Sequence, residues 1–195
     1  MNITKSEIDA IGELFNIGMG SSATALSIIL DQPVKISVPD IKILKPAELD
    51  ITYLEPAYGI SVEYTKGLKG TNSLLLKRED VLKLASKMTF MELTEVDEIS
   101  QSAICELMNQ MMGSASTGIA GFLNTEIDIS TPKLGEIADT TSYKLFMYGA
   151  YKSVMSITFN LDVEGFLNTN FVTVMSSDII ETLLEKLRKL KAENA

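Results

Sequence analysis

Two stretches of the chain carry closely similar sequences and decide the fold. They are residues 9–39, DAIGELFNIGMGSSATALSIILDQPVKISVP, and residues 102–132, SAICELMNQMMGSASTGIAGFLNTEIDISTP. The two align without a gap at a constant offset of 93 residues, and 13 of the 31 aligned positions are identical. Unrelated stretches of this length would share about two positions at ordinary residue frequencies. The chain therefore contains an internal duplication, which has to be recognised before a fold is assigned.

The duplication continues towards the C-terminus at a larger offset. The matched residues are Thr71, Asn72 and Asp80 in the first copy and Thr169, Asn170 and Asp178 in the second. Their offset is 98, so the second copy has gained five residues. We expect the insertion after Pro132, because surface connections tolerate extra length. A chain of 195 residues is within the size of one domain. We predict a single domain over residues 1–195, built from repeats of about 1–92 and 93–195.

The periodicity of each repeat predicts a long helix followed by strands and a shorter helix. Thr4 or Ser6 can cap the first helix, with Glu7 or Asp9 completing a capping box, and apolar residues then recur every 3.6 residues for about 26 residues. Predicted strands are residues 34–38 (which Pro39 either ends or marks as an edge strand), 59–64, 72–76, 127–131, 145–148, 154–160 and 171–175. Shorter helices are predicted at residues 80–87 and from Asp178 onwards. This order favours an α+β fold with pseudo-two-fold symmetry, in which an antiparallel sheet is covered by two long repeat-related helices plus shorter helices.

A polar line runs along the first helix of each repeat. Asp9, Glu13, Asn16 and Gly20 fall within about 60 degrees of one another on a helix, on the side away from the apolar residues. The second copy has Ser102, Glu106, Asn109 and Gly113 at the same places. Gly20 and Gly113 would let another backbone approach closely. Polar outer faces are ordinary in helices, so these could be simple surface residues. However, surface positions diverge most freely after a duplication, and the identity of the glutamates, asparagines and glycines here favours a functional role.

The composition excludes several classes of chemistry and partner. The chain has no histidine, no tryptophan and one cysteine, Cys105. A Ser-His-Asp or Cys-His pair, a His-ligated metal centre and an internal disulfide are therefore excluded. A net charge of −9 disfavours nucleic acid and anionic membranes as partners. There is no run of about 20 uninterrupted apolar residues and no signal-peptide pattern, so we expect a cytoplasmic protein without a membrane insertion.

The spacing of the polar line resembles the signature of the CheC, CheX and FliY family of chemotaxis phosphatases. That signature is Asp or Ser, three residues, Glu, two residues, Asn, twenty-two residues and Pro. Asp9-Glu13-Asn16-Pro39 satisfies it, and so does Ser102-Glu106-Asn109-Pro132. The resemblance covers the whole chain and is to CheC or to the central domain of FliY. The chain carries neither the C-terminal FliN-like domain nor the N-terminal regulator-docking tail of FliY, which favours a stand-alone CheC-type protein or a fragment of FliY.

The resemblance implies hydrolysis of the aspartyl phosphate of the response regulator CheY, in two-component signalling. Asn16 and Asn109 would each place a water in line with phosphorus, since an amide offers a donor and an acceptor without charge. Glu13 and Glu106 would pair with the active-site lysine of the regulator and fix the docking register. We expect Asp9 and Ser102 to support the helix face, and Pro39 and Pro132 to shape the adjoining strand end. No cofactor is expected to be bound by this chain, because the phosphorylated regulator supplies its own Mg²⁺.

Two other functions stay open at this point. The chain could be a non-catalytic module that binds CheY or the deamidase CheD. A small-molecule hydrolase is less consistent with the sequence, which has no evident nucleophile, base or metal cluster. The expected partners are phosphorylated CheY, with CheD and flagellar switch proteins as further candidates, and we expect a monomer.

Overall fold

The computed structural model describes residues 2–195, apart from the side chain of Pro39. In chain order the elements are α1 (Lys5–Leu30), β1 (Val34–Leu44), β2 (Ala57–Lys66), β3 (Gly70–Lys77), α2 (Arg78–Thr89), α3 (Glu98–Leu123), β4 (Asp128–Ile129), β5 (Lys133–Ile137), α4 (Thr140–Tyr148), β6 (Val154–Val163), β7 (Leu167–Ser176) and α5 (Ser177–Glu193). Two 3₁₀ turns, Pro46–Glu48 and Thr52–Leu54, connect β1 to β2.

The two long helices begin and end at equivalent positions of the two repeats. The predicted capping box closes α1: the Thr4 hydroxyl accepts from the Glu7 amide at 3.3 Å, and the Glu7 carboxylate accepts from the Thr4 amide at 2.9 Å. In α3 the carboxylate of Asp97 caps the first turn by accepting from the Ser100 amide. Asp31 and Asn124 end the helices in the left-handed conformation, which short polar side chains tolerate. The same local signals therefore set both helices at 26 residues.

All strand pairs in the sheet are antiparallel, and the strand order follows the duplication. The order is β1-β6-β7-β3-β2, with β4 and β5 both pairing with β2. The repeat-related strands are β2 and β6, β3 and β7, and β1 and the pair β4 and β5. When each strand is replaced by its repeat-related strand, the same strand order is obtained in the reverse direction. At the centre, the pair Leu74–Thr173 exchanges with the pair Leu75–Val172 at the offset of 98. The predicted α+β fold with pseudo-two-fold duplication is confirmed.

The sheet separates two hydrophobic cores of different size. The larger core lies between the sheet and helices α1, α2, α3 and α5, and the smaller core lies on the opposite face under α4 and the 3₁₀ turns. Neighbouring residues of β3 show the alternation, since Leu74 and Leu76 belong to the larger core and Leu75 to the smaller one. Both long helices thus lie on one face of the sheet and have one side free for other contacts.

Helix α1 has the length and apolar content of a membrane span, the only such helix among residues 2–195. Its apolar residues Ile11, Leu14 and Leu26 are nevertheless at most 1% exposed, within the larger core. We therefore assign α1 as a core helix of the folded domain.

One predicted strand is wrong, and another is longer than predicted. Residues 145–148 belong to helix α4, because the Asp139 carboxylate accepts from the Thr141 amide at 2.9 Å and from the Ser142 hydroxyl at 2.7 Å, which caps a helix there. For Pro39, predicted either to end the first strand or to mark it as an edge strand, the second alternative is confirmed. Strand β1 continues to Leu44 through a register shift between Ser37 and Asp40, and it lies at the edge of the sheet, where a proline is tolerated.

Candidate functional site

Most residues of the two polar lines are exposed on the free side of α1 and α3. On α1 these are Asp9, Glu13, Asn16 and Gly20; on α3 they are Ser102, Glu106 and Asn109, while Gly113 is half-buried. The opposite sides are buried, with Leu14 and Leu107 both at 0% exposure. Each carboxylate and carboxamide is therefore held on a helix anchored in the core and is presented outward. Their roles remain a prediction.

The packing of α1 against α3 fixes how the two lines are arranged. The buried Ser22 hydroxyl donates to the Met111 carbonyl at 2.7 Å, and a Cβ on Gly18 would lie 3.1 Å from the Ala115 carbonyl oxygen. Adding or subtracting the offset of 93 converts the contact Ser22–Met111 into the contact Gly18–Ala115. The residue number falls on α3 as it rises on α1, so the helices run antiparallel. Gly20 and Gly113 lie midway between the contact residues. The pseudo-two-fold axis of the helix pair therefore passes between the two glycines.

Gly20 and Gly113 leave open space on the outer surface at this axis. A Cβ added at either position would meet no atom within 4 Å, and neither glycine has a positive φ. Their lack of a side chain therefore has no explanation in the packing of the chain itself. It is consistent with the predicted close approach of a partner.

The sequence reasoning missed Thr24 and Thr117, which extend each polar line by one helical turn. The Thr24 hydroxyl donates to the Gly20 carbonyl at 3.2 Å, and the Thr117 hydroxyl donates to the Gly113 carbonyl at 3.0 Å. Both are exposed. The available signal was their identity in the two repeats at the offset of 93, which equals that of the asparagines.

A groove of about 800 Å³ lies beside Asn109 and is built from both repeats. Asn109, Gln110 and Gly113 line it from α3, and Ser21, Thr24 and Ile28 line it from α1. The antiparallel packing produces this arrangement, since it brings the C-terminal half of α1 alongside Asn109. The second site is therefore not formed by the second repeat alone.

A second groove, of about 630 Å³, lies at the other end of the same polar line. Ile99, Ser102 and Glu106 line it from α3, and Met88 and Thr89 line it from α2. The line Ser102–Glu106–Asn109 thus runs from one groove to the other. An incoming protein could contact the carboxylate, the carboxamide and both grooves at once.

The polar environments of the two carboxylates differ between the repeats. The Glu106 carboxylate accepts from the Gln110 side-chain amide at 3.0 Å. The first repeat has Ile17, 38% exposed, at the position of Gln110.

A different carboxylate, Glu7 near the start of α1, lies outside the polar line and is held by α5. The Arg188 guanidinium donates to the Glu7 carboxylate at 2.7 Å. This bond is the main reason that the pKa of Glu7 falls from 4.5 to about 2, with the Thr4 amide adding to the effect.

Pro39 and Pro132 are the remaining residues of the motif. Pro132 is buried immediately before β5, whereas the side chain of Pro39 lies outside the described residues. Within residues 2–195, no three His, Cys, Asp or Glu side chains come together as a metal site. The site consists of a carboxylate, a carboxamide and a hydroxyl on a rigid helix, which can bind and orient a reacting group or a water.

Comparison with known proteins identifies relatives along the whole chain. The CheC-like family profile matches residues 7–43 and 99–136, the helix and first strand of each repeat. The flagellar motor switch phosphatase FliY of Bacillus subtilis (strain 168) is 34% identical over 192 residues, which are 94% of this chain and 50% of that protein. The chain therefore spans half the length of this curated relative.

Solved structures agree with this relationship. The crystal structure of Thermotoga maritima FliY matches with a TM-score of 0.85 and 35% identity, over 97% of this chain and 99% of that chain. The FliG–FliM complex from H. pylori contains a chain that matches with a TM-score of 0.74 over 94% of this chain and 100% of its own length. Its identity is 10%, so it shows a shared fold only. From the matched motif segments and the similarity to FliY along nearly the whole of this chain, we conclude that this chain belongs to the CheC-like family of chemotaxis and flagellar switch phosphatases.

Proposed function

We propose that this chain hydrolyses the aspartyl phosphate of the response regulator CheY at two sites. One site contains Glu13 and Asn16 on α1, and the other contains Glu106 and Asn109 on α3. The observation that carries the proposal is the presentation of the same carboxylate–carboxamide pair, exposed and one turn apart, on two helices whose other sides are rigidly buried. The name of the B. subtilis relative, a flagellar motor switch phosphatase, supports the reaction class.

The chemistry requires little from the phosphatase itself. An aspartyl phosphate is an activated anhydride, so the barrier falls mainly through positioning of the attacking water and through charge stabilisation. The side chains of Asn16 and Asn109 can accept one hydrogen bond from a water and donate another to a phosphoryl oxygen. Because an amide is neutral, it approaches a phosphoryl group without repulsion. The regulator would supply Mg²⁺ and a lysine, and this chain would supply the oriented water.

The carboxylates would act in docking. Glu13 and Glu106 lie one helical turn before the asparagines, and an ion pair with the regulator's lysine would fix the register in which each asparagine meets phosphorus. Asp9 and Ser102 lie a further turn back, where they would support the same face. With this division of roles, replacing the glutamates should mainly raise KM, and replacing the asparagines should mainly lower kcat.

Further partners and a location follow from the same proposal. Flagellar switch proteins are candidate partners, since the FliG–FliM complex contains a chain of this fold and the B. subtilis relative is a switch protein. CheD remains a further candidate. A cytoplasmic location goes with a response regulator as substrate.

The test is phosphate release from phosphorylated CheY, measured with Asn16→Ala, Asn109→Ala and the double variant. We expect each single variant to keep part of the activity and the double variant to lose the acceleration, with the fold unchanged by circular dichroism. Gln101→Ala is the matched control, because Gln101 is an exposed amide on α3 outside the polar line. Full activity in the double variant would disprove the mechanism. Tight binding of phosphorylated CheY without faster phosphate loss by the unaltered protein would show a non-catalytic binding module instead.

A further inference from the structure

The two sites differ at the positions that flank the polar line, although the line itself is repeated. At the second site, Ile99 precedes Ser102 by one turn on α3, and Ile28 from α1 lines the groove beside Asn109. Ile99 is 46% exposed and Ile28 is 78% exposed. Both are large apolar side chains without a partner in this chain that covers them.

The first site has no apolar side chain at either equivalent position. At the offset of 93, Ile99 corresponds to Ser6, and Ile28 corresponds to Gly121. Since the α1–α3 contacts exchange at the same offset, Gly121 lies relative to Asn16 as Ile28 lies relative to Asn109. Both Ser6 and Gly121 are exposed. The second site therefore has two exposed isoleucines, Ile99 and Ile28, at positions where the first site has none, whereas the first site has Ile17 in place of Gln110.

We propose that Ile99 and Ile28 are docking residues that strengthen the binding of the second site to the receiver domain of the response regulator. This inference rests on the proposed function. Protein interfaces bind mainly through a few apolar side chains next to a polar centre, and two exposed isoleucines on either side of Glu106 and Asn109 provide that arrangement. Asn109 lines one groove and Glu106 lines the other, so a protein that docks along the polar line can contact both.

One consequence is that the second site depends on the first repeat. Asn109 comes from α3, whereas Ile28 comes from α1, so the second site needs both copies of the duplication. The isoleucines should act on binding alone, because neither carries a group that reaches phosphorus. The regulator should thus bind the second site more tightly than the first, with a similar rate of the chemical step.

The experiment uses two single-site proteins and a phosphorylated receiver domain. Glu13→Arg with Asn16→Ala leaves only the second site, and Glu106→Arg with Asn109→Ala leaves only the first. Adding Ile28→Ala and Ile99→Ala to the second-site protein should raise KM by about tenfold with kcat unchanged, the size expected when two apolar contacts are lost. An unchanged KM would overturn the proposal.

The reciprocal change tests the same idea as a gain. Ser6→Ile with Gly121→Ile, in the first-site protein, should lower KM by about tenfold. The structure accommodates this change, since a Cβ at Gly121 meets no atom within 4 Å and its φ is not positive. Phe146→Ala is the matched control: Phe146 is 88% exposed, but it lies on α4, which covers the opposite face of the sheet. An equal effect of Phe146→Ala would also overturn the proposal.

A binding measurement separates this inference from the proposed function. The dissociation constant for a receiver domain loaded with beryllium fluoride, which mimics the phosphoryl group, is measured by titration calorimetry. If none of the proteins accelerates phosphate release from the phosphorylated receiver domain, the proposed function fails. The docking inference then stands if Ile28→Ala with Ile99→Ala still weakens binding to the second site by about tenfold, and it fails if the dissociation constant does not change.

Discussion

Gly20 and Gly113 show how a single residue can separate stability from function. Glycine in a helix costs about 1 kcal/mol relative to alanine, and the structure offers no packing reason for either residue. Gly18 is different, since an added Cβ would lie 3.1 Å from the Ala115 carbonyl oxygen and 3.2 Å from the Ile119 side chain. Gly18 is therefore explained by what packs against it inside the protein, whereas for Gly20 and Gly113 the proposed function offers the close approach of a partner as the reason.

We predict that Gly20→Ala with Gly113→Ala raises the free energy of unfolding by about 1 to 2 kcal/mol and lowers the proposed phosphatase activity. The gain in stability comes from better helix propensity without a clash, and the loss of activity comes from methyl groups that hold the regulator away. Urea unfolding and phosphate release measure the two effects. Gly18→Ala serves as the control, because it should lose stability. Unchanged activity in the double variant would show that the close-approach role is wrong.

Ser22 is the residue that joins the two long helices by a side-chain hydrogen bond. It is 0% exposed and donates to the Met111 carbonyl at 2.7 Å, with the Gly18 carbonyl at 3.1 Å. We predict that Ser22→Ala lowers the free energy of unfolding by about 1 kcal/mol, the usual net value of such a bond. Ser21→Ala, next to it but weakly bonded at 3.4 Å, should change stability less. Equal losses in urea unfolding would mean that the cross-helix bond contributes nothing.

The helices were largely predictable from sequence, whereas the neighbours of the site were not. Local signals such as Thr4, with Glu7 three residues later, define where α1 begins, and the 3.6-residue period predicts which side is exposed. Ile28 is different, because its place beside Asn109 depends on the antiparallel packing of α1 and α3. Helix α4 was missed because a short apolar run, residues 145–148, has no period long enough to distinguish a strand from a helix.

Helices α1 and α5 are linked by one ion pair whose pH dependence can be tested. The Arg188 guanidinium holds the pKa of Glu7 at about 2, below its ordinary value of 4.5. A carboxyl with a lowered pKa in the folded state stabilises the fold fully above pH 4.5, and this contribution is lost as the pH falls towards 2. We predict that Glu7→Gln makes stability less dependent on pH within this window.

The measurement is thermal unfolding of the Glu7→Gln variant and the unaltered protein at several pH values between 2 and 7. The difference in Tm between the two should be largest at neutral pH and should shrink towards pH 2. Lys189→Gln is the control, since Lys189 lies on the same helix and its nitrogen is 3.9 Å from the Glu193 carboxylate, both exposed. A constant difference in Tm across the range would contradict the assignment.

At the scale of the whole molecule, the duplication produces one sheet in which each repeat completes the other. Strand β1 of the first repeat pairs with β6 of the second, and β4 and β5 of the second pair with β2 of the first. The repeat was visible in the sequence, but this exchange of edge strands was not, because strand pairing depends on contacts distant in sequence. The same exchange explains why α1 and α3 lie side by side on one face of the sheet.

We predict that residues 1–92 and 93–195, expressed as separate polypeptides, do not fold alone. The first half would leave β1 without β6 and the side of α1 that packs on α3 open to water, and the second half would leave β4 and β5 without β2. Each half would bury only part of the larger core. The free energy gained from that burial would not offset the cost of an unpaired strand and an exposed apolar helix face. Circular dichroism should therefore show no cooperative thermal transition for either half. Mixing the halves in equal amounts should restore a cooperative transition and, by light scattering, a one-to-one complex. A cooperative transition in an isolated half would show that the repeats are independent domains. It would contradict a second site that depends on both repeats.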